Sequence, residues 1–259
     1  MGKLDGKVVV ITGCAGGLGK QHAIRFAHEG AKLAICDILE ERLMETKRLC
    51  EEKGAEVVAL RCDVGLYDDL VTFVEKTAER FRVIDVLLNN AHKITDLRPF
   101  LEYGIDDLDI ELHTSLYATW HMMKLCFPYM RDKPDAGASI INTASKGGIE
   151  GTPSHAAYAA AKEAIRGLSR VVAREWGQYN IRVNTVCPGG WTDNVTDRLH
   201  EQSPEIQEWA RHAFKDNPFQ RIGDPYNDVS PIFVFLASDD SHWMTGQNLH
   251  ADGGVWISA

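Results

Sequence analysis

The chain has 259 residues, of which 44% are hydrophobic and 25% charged, and its formal net charge is -9 at pH 7. This length allows one large α/β domain or two small ones, and the acidic balance argues against nucleic acid or an anionic membrane surface as the main partner. The 6 cysteines form no CxxC pair and the 10 histidines show no HExxH-type spacing, which favours buried thiols in a reducing cytosol and argues against a metal site.

No segment of the sequence reads as a membrane or targeting element. The apolar runs are all far shorter than the ~18 residues that a transmembrane helix needs. The first strand-like run starts at Lys7, which leaves no room for a leader peptide. Because no linker or repeat divides the chain, we expect one cytoplasmic domain over residues 1–259, acting on a small molecule without nucleic acid or membrane partners.

The first predicted element is a strand, KVVVIT, and a glycine-rich loop follows it directly. The loop reads TGCAGGLG, with Gly13, Gly17 and Gly19 in a TGxxxGxG pattern and a helical pattern from Leu18 onward. Glycines let the backbone turn tightly and approach a pyrophosphate, and a helix start offers unpaired N–H groups. We therefore predict that Gly13, Gly17, Leu18 and Gly19 bind a dinucleotide.

Acidic residues close the second and third predicted strands. Asp37 ends the strand AKLAICD, where a carboxylate can accept hydrogen bonds from an adenosine ribose and repel a 2′-phosphate. This position favours NAD over NADP, with a solvated acid at a strand end as the alternative. Asp63 and Val64 close the third strand, at the edge of the crevice where an adenine can lie.

Further along the chain, helical and strand-like patterns alternate. A clear amphipathic helix covers 70–81, strands follow in VIDVLLNNA and ASIINTAS, and residues 93–112 have no clear assignment before a helix from His113 to Met130. Alternation of this kind predicts one doubly wound parallel sheet with about seven strands and helices on both faces. The segment 191–216 breaks the alternation after the sixth strand, NIRVNTVC, and we expect it to form a substrate lid over the crevice.

A hydroxyl, a phenol and an ammonium stand at fixed intervals around the fifth strand. Ser145 follows the strand, and Tyr158 and Lys162 are four residues apart in the alanine-rich run AAYAAAKEAIRGLSRVVAREW. A helix there puts both side chains on one face, one turn apart. A phenol titrates near ~10 in water and an adjacent ammonium favours phenolate, so Tyr158 could exchange a proton near neutral pH. A surface pair without function is the alternative reading of this spacing.

Together these motifs resemble those of the short-chain dehydrogenase/reductase family, in its ordinary short-chain branch, over essentially the whole chain. The matching stretches are TGCAGGLG at 12–19, DV at 63–64, NNA at 89–91, Ser145, YAAAK at 158–162, NIRVNTVCPG at 180–189 and MTGQNLHADGG at 244–254. The resemblance implies a Rossmann domain and a catalytic trio of Ser145, Tyr158 and Lys162. It also implies that the trio's Tyr and Lys, with Asn90, Trp191 and Thr192, contact the nicotinamide cofactor, and that the protein forms a homotetramer or homodimer.

The sequence departs from the family pattern at three places. The resemblance places the family's catalytic Asn at Ser115, so the proton relay is either rebuilt around a shorter side chain, which is our hypothesis, or weakened. His92 replaces the glycine that usually completes NNAG, either to shape the substrate site or to pack. The loop after Pro188 and Gly189 reads GWTD, with its threonine one residue early, which leaves the register of Trp191 and Thr192 open.

We predict an NAD-dependent oxidoreductase that interconverts a secondary alcohol and a ketone, with Tyr158 as general acid and base. Tryptophans and an aliphatic residue near the cleft favour a bulky cyclic, steroid-like or terpenoid-like substrate, although core packing explains the same residues. The substrate-side candidates are His92, Ile149, His155, Trp191 and Trp209. The alternatives are a catalytically weakened dinucleotide-binding regulatory protein, or a net non-redox reaction on the same fold.

Overall fold

The computed structural model describes residues 2–131, 137–200 and 203–257, with only the backbone described at Arg198, Ile206 and Trp209. Seven strands form one sheet in the order β3-β2-β1-β4-β5-β6-β7, and every pair is parallel. The predicted doubly wound α/β fold is confirmed. The strands are β1 Val8–Thr12, β2 Lys32–Asp37, β3 Val57–Arg61, β4 Val86–Asn89, β5 Ala138–Thr143, β6 Ile181–Pro188 and β7 Asn248–Ala251.

Helices connect the strands and cover both faces of the sheet. Along β1, Val9 and Ile11 point into a core that includes helices α1, α2 and α10, whereas Val10 points into a second core with α3, α5 and α7. The helices are α1 Gly17–His28, α2 Glu40–Glu51, α3 Tyr67–Phe81, α4 Ile105–Glu111, α5 Ala118–Met130, α6 Lys146–Glu150, α7 Ala156–Trp176, α8 Asp193–His200, α9 Pro204–Lys215 and α10 Ser230–Ala237.

The region before β5 differs most from the sequence-based prediction. The helix expected from His113 starts earlier, at Ile105, and a π-helical turn over Leu112–Tyr117 separates α4 from α5. Asp107 accepts a hydrogen bond from the Gly104 backbone N–H at 2.9 Å and so fixes the start of α4. Seven residues with four acids carry too little hydrophobic periodicity to be recognised as a helix from sequence.

The parallel strands bring their carboxyl ends to one edge of the sheet. Gly13, Asp37, Asn90 and Ser145 therefore follow neighbouring strand ends, and the 191–216 segment leaves β6 at the same edge and forms α8 and α9. All 6 cysteines are buried and unpaired. Among the described residues, no helix has the length and apolar character needed to cross a membrane.

Candidate active site

A cavity of about 1700 Å³ lies at the carboxyl edge of the sheet. This volume exceeds the ~300–1,000 Å³ of sites for one drug-sized ligand, so the cavity has room for a dinucleotide and a second molecule. The structure brings together there most of the residues that the sequence singles out, namely Gly13, Gly17, Leu18, Asp37, Asp63, Val64, Asn90, His92, Ser145, Tyr158 and Thr192.

The glycine-rich loop forms one end of the cavity. Gly13 and Gly17 have φ angles of 77° and 60°, which side chains disfavour, and a Cβ on Gly13 would lie 2.8 Å from the Cα of Ala91. The Asn90 side-chain amide donates to the carbonyls of Thr12 and Gly13, each at 3.1 Å, and so holds the loop. The loop leads into the amino end of α1, so its backbone fits the close approach of a pyrophosphate.

Asp37 lies at the end of β2 beside this loop. Its two carboxylate oxygens accept hydrogen bonds from the backbone N–H groups of Ala15 at 2.9 Å and Leu39 at 3.0 Å. Each oxygen can accept one more hydrogen bond, and Asp37 lines the cavity. Asp63 accepts from the Gly65 N–H at 2.9 Å and occupies the next strand end. The carboxylates therefore fit recognition of a ribose and disfavour an added phosphate there.

Helix α8 of the 191–216 segment contacts the glycine-rich loop directly. The Gly17 N–H donates to the Asp193 carboxylate at 2.6 Å, and Arg42 of α2 forms ion pairs with Asp193 at 3.5 Å and Asp197 at 3.3 Å. A Cβ on Gly17 would lie 2.5 Å from the Asn194 amide nitrogen. A carboxylate thus accepts the hydrogen bond of a backbone N–H that is well placed to bind a phosphate.

Ser145, Tyr158 and Lys162 lie on adjoining elements at the other end of the cavity. Ser145 caps α6, and its hydroxyl accepts the Gly147 N–H at 3.1 Å. Tyr158 and Lys162 leave one side of α7, with the Lys162 ammonium 5.7 Å from the centroid of the phenol ring. Ser145 and Tyr158 line the cavity, whereas Lys162 lies behind them.

Lys162 is buried, with 1% of its surface exposed, and its ammonium donates to the Thr143 carbonyl at 3.0 Å. Burial lowers the pKa of Lys162 to about 8, while the charge of Glu111 acts in the opposite direction. An ammonium behind the phenol stabilises phenolate, so the arrangement can move a proton to or from a hydroxyl group bound in the cavity.

Ser115 occupies the π-helical turn and is 1% exposed. Its hydroxyl has no hydrogen-bond partner among the described residues, and neither does the buried hydroxyl of Thr143. One turn earlier, Glu111 is fully buried. Sequence analysis missed Glu111 because α4 was not predicted; its position four residues before Ser115 was the available signal.

Of the predicted substrate-side residues whose side chains are described, His92 alone lines the cavity. The His92 ring is 5.7 Å from the Tyr158 ring and lines the cavity. The His155 ring is 6.2 Å from that same phenol but donates its Nδ1 proton to the Pro153 carbonyl, and it does not line the cavity. Ile149 lies on α6, away from the lining. The side chain of Trp209 lies outside the described part of the chain.

Trp191 does not line the cavity, whereas the neighbouring Phe214 and Phe219 do. The Trp191 indole donates to the Thr196 hydroxyl at 2.9 Å and packs edge-on against Phe214 at 5.0 Å. Phe214 and Phe219 line the cavity, and Phe219 is 69% exposed. Sequence analysis named Trp209 in this region and missed both phenylalanines, because their orientation depends on how α9 and the following loop pack.

Comparison with known proteins agrees with this geometry. A 12alpha-hydroxysteroid dehydrogenase from Clostridium sp. (strain ATCC 29733 / VPI C48-50) is 37% identical over 262 residues, which cover 98% of each protein. A family model described as Enoyl-(Acyl carrier protein) reductase matches residues 13–256. The chain belongs to the short-chain dehydrogenase/reductase family.

Solved structures of this short-chain dehydrogenase/reductase family superpose closely on the chain. Levodione reductase has a TM-score of 0.90 at 33% identity, covering 97% of this chain and 98% of that one. NAD+-bound xylitol dehydrogenase has a TM-score of 0.89 at 32% identity, covering 97% of this chain and 100% of that one. The protein is therefore a short-chain dehydrogenase/reductase oxidoreductase, and the family binds nicotinamide dinucleotides at this edge of the sheet.

Proposed function

We propose that the protein is an NAD-dependent dehydrogenase that interconverts a secondary alcohol and a ketone. The observation that carries the proposal is the position of Ser145 and Tyr158 in one cavity with the glycine-rich loop and Asp37. Hydride transfer at a carbon that bears oxygen requires a proton-transfer group and a dinucleotide site in the same cavity. Bound cofactor supplies the hydride acceptor or donor, and the remaining chemistry belongs to the protein.

In this proposal Tyr158 is the general acid and base. Its phenolate removes the hydroxyl proton during alcohol oxidation, and its phenol returns a proton to the carbonyl oxygen during reduction. The Ser145 hydroxyl donates a hydrogen bond to that oxygen, where negative charge develops. The Lys162 ammonium favours the phenolate form of Tyr158, and Ser115 belongs to the relay through which protons leave the site.

Cofactor preference follows from Asp37. A carboxylate at the end of β2 accepts ribose hydroxyls and repels a 2′-phosphate, so NAD is the expected cofactor. We assign cofactor contacts also to Gly13, Gly17, Leu18, Gly19, Asp63, Val64, Asn90 and Thr192, which lie at or beside the cavity. The orientation of Trp191 toward Phe214 favours Thr192 as the contact in this loop.

The substrate class that we propose is a bulky cyclic alcohol or ketone. Phe214, Phe219 and Val255 give the cavity apolar surface beside His92, which suits a ring system better than a small polar sugar. Similarity of the chain to a 12alpha-hydroxysteroid dehydrogenase and to levodione reductase supports the same substrate class. The 191–216 segment, with α8 and α9 at the cavity, acts as the lid.

We further propose a homotetramer or homodimer. Tyr117, Trp120 and Val171 are each more than 40% exposed and lie around α5 and α7, the helices that flank β5. Large apolar side chains at such positions favour contact with a second copy. Sedimentation analysis of the protein tests this assembly, and a monomer at all concentrations contradicts it.

Steady-state absorbance of NADH, measured with a panel of cyclic alcohols and ketones, tests the proposed function. We expect net NADH formation from an alcohol, net consumption with the matching ketone, and a clear preference for NAD over NADP. NADH binding without turnover of any panel member would favour a regulatory protein, and product formation without net cofactor change would favour a non-redox reaction. A preference for NADP would contradict the role of Asp37.

A further inference from the structure

Two opposite charges are buried together behind the cavity. Among the described residues, Glu111 at 0% exposure and Lys162 at 1% are the most deeply buried acidic residue and lysine. Isolated charges are costly to bury, so buried ionic groups in proteins are normally paired. Helix α4 and the π-helical turn pack against α7, which brings the segment carrying Glu111 to the helix carrying Lys162.

Thr95 holds one oxygen of the Glu111 carboxylate in place. One carboxylate oxygen accepts the Thr95 backbone N–H at 2.7 Å and the Thr95 hydroxyl at 3.2 Å. Hydrogen bonds donated to a carboxylate favour its charged form. These contacts also tie the loop after β4 to α4, which gives Glu111 a structural role that a neutral amide could fill equally well.

Lys162 faces few other groups that could compensate its charge. Cys187 of β6 is the other titratable group that favours the ammonium, but burial raises the pKa of that thiol to about 11, so it is neutral at physiological pH. Thr143 of β5 offers only its carbonyl oxygen, and Tyr158 of α7 presents its ring. His92 approaches the phenol rather than the ammonium. Glu111 therefore supplies the negative charge that opposes the cost of burying Lys162.

We propose that Glu111 is a positioning residue that keeps Lys162 protonated near neutral pH and thereby sets the pH range in which Tyr158 accepts a proton. The inference rests on the proposed function, because it needs Lys162 to act on Tyr158. Glu111 itself lies outside the cavity lining and acts through Lys162. Its effect therefore appears in the pH dependence of turnover rather than in substrate affinity.

The variant Glu111→Gln separates charge from structure, because the amide oxygen still accepts both Thr95 hydrogen bonds. Without the negative charge Lys162 loses its proton at lower pH, and a neutral amine no longer favours phenolate. We expect the ascending limb of kcat/KM for alcohol oxidation to move up by about one pH unit, with roughly tenfold slower oxidation at neutral pH and little change in KM.

The matched control is Thr95→Val, which removes the hydroxyl contact to Glu111 but keeps the backbone N–H and the charge. Its pH profile should coincide with that of the wild type. A Glu111→Gln profile that also coincides with the wild type would overturn the inference while leaving the proposed function intact. Absence of turnover by the wild-type enzyme with any substrate would instead count against the proposed function.

If Glu111→Gln does not fold, NMR of the wild-type enzyme labelled at lysine Nζ provides the second measurement. The Lys162 resonance should report an ammonium at neutral pH in spite of its burial. A neutral Lys162 at that pH would overturn the inference.

Discussion

At the scale of single residues, Ser115 and Thr143 combine full burial with unsatisfied hydroxyl groups. Neither hydroxyl has a hydrogen-bond partner among the described residues, although both lie close to the elements that hold Lys162. Buried hydroxyls without a protein partner commonly bind an ordered water or take part in catalysis. This environment supports the expected relay at Ser115.

Replacement of Ser115 by alanine removes that hydroxyl and little volume. We expect kcat to fall about tenfold while KM changes little, because proton transfer slows and substrate binding does not depend on this position. Steady-state kinetics provide the measurement. The control is Ser139→Ala on β5, whose buried hydroxyl donates to the Leu236 carbonyl at 2.7 Å and should affect stability only. A kcat for Ser115→Ala equal to that of Ser139→Ala would argue against the relay.

The candidate residues whose placement is easiest to predict from sequence are those in short linear motifs. Asp37 ends a strand and Tyr158 and Lys162 share a helix face, so their relation is fixed by local geometry. Glu111 could not be identified in the same way, because its burial and its approach to Lys162 depend on how α4 packs against α7. The orientation of Trp191 toward Phe214 likewise depends on tertiary packing.

At the scale of elements, helix α8 contacts the glycine-rich loop at a backbone N–H where we expect a cofactor pyrophosphate to bind. Asp193 accepts the Gly17 N–H of α1, and the ion pairs of Arg42 with Asp193 and Asp197 connect α8 to α2. A pyrophosphate that binds the same N–H must displace the Asp193 carboxylate, whose charge also repels it. Lid movement and cofactor binding are therefore expected to be coupled.

The variant Asp193→Ala should bind NADH more tightly, with Kd lower by about tenfold, because a charge-assisted hydrogen bond no longer has to be broken. Titration of intrinsic fluorescence or calorimetry measures the affinity. Asp197→Ala is the matched control, since it removes the same charge and an Arg42 contact but keeps the bond to Gly17. Equal affinities of the two variants would show that net charge alone is responsible.

Element boundaries show where sequence reasoning succeeds. The alanine-rich run predicted as a helix is α7, Ala156–Trp176, in which high helix propensity and an apolar face agree. The π-helical turn Leu112–Tyr117, which joins α4 to α5, has no comparable signature in the sequence. Sequence therefore predicts the regular elements and misses the irregular turn that carries Ser115.

At the scale of the whole molecule, the core that includes α1 and α10 contains a histidine that must stay neutral. His22 of α1 is fully buried, and its ring lies 4.0 Å from that of Phe233 in α10. Ser230 donates its hydroxyl proton to the Pro225 carbonyl, so it accepts from the His22 Nδ1 at 2.8 Å. The Nε2 atom has no partner among the described residues, and burial lowers the pKa of His22 from 6.5 to about 3.

The depressed pKa predicts acid sensitivity of the fold. The unfolded chain binds a proton at His22 below pH 6.5, whereas the folded protein does so only near pH 3, so the stability from the neutral ring is complete above pH 6.5 and declines as the pH falls. At about pH 5 the free energy of unfolding should be lower by about 2 kcal/mol from this residue alone.

Urea unfolding of the wild type and of His22→Gln at neutral and acidic pH measures this contribution. The variant should lose less stability on acidification than the wild type, while His28→Gln, at an exposed position on the same helix, should behave like the wild type. Identical pH dependence in all three proteins would show that His22 does not carry the effect. The alternating elements predicted a doubly wound parallel sheet of about seven strands, whereas the order of the strands comes from the structure.

In the proposed reaction, Tyr158 is the group that moves the proton. Replacement of Tyr158 by phenylalanine keeps the ring and its packing but removes the hydroxyl. Turnover of a cyclic alcohol with NAD by this variant is the most direct measurement, made together with its affinity for NADH. We predict that kcat falls at least ~100-fold while the Kd for NADH stays within a few-fold of wild type. A variant that oxidises the alcohol at the wild-type rate would contradict the account.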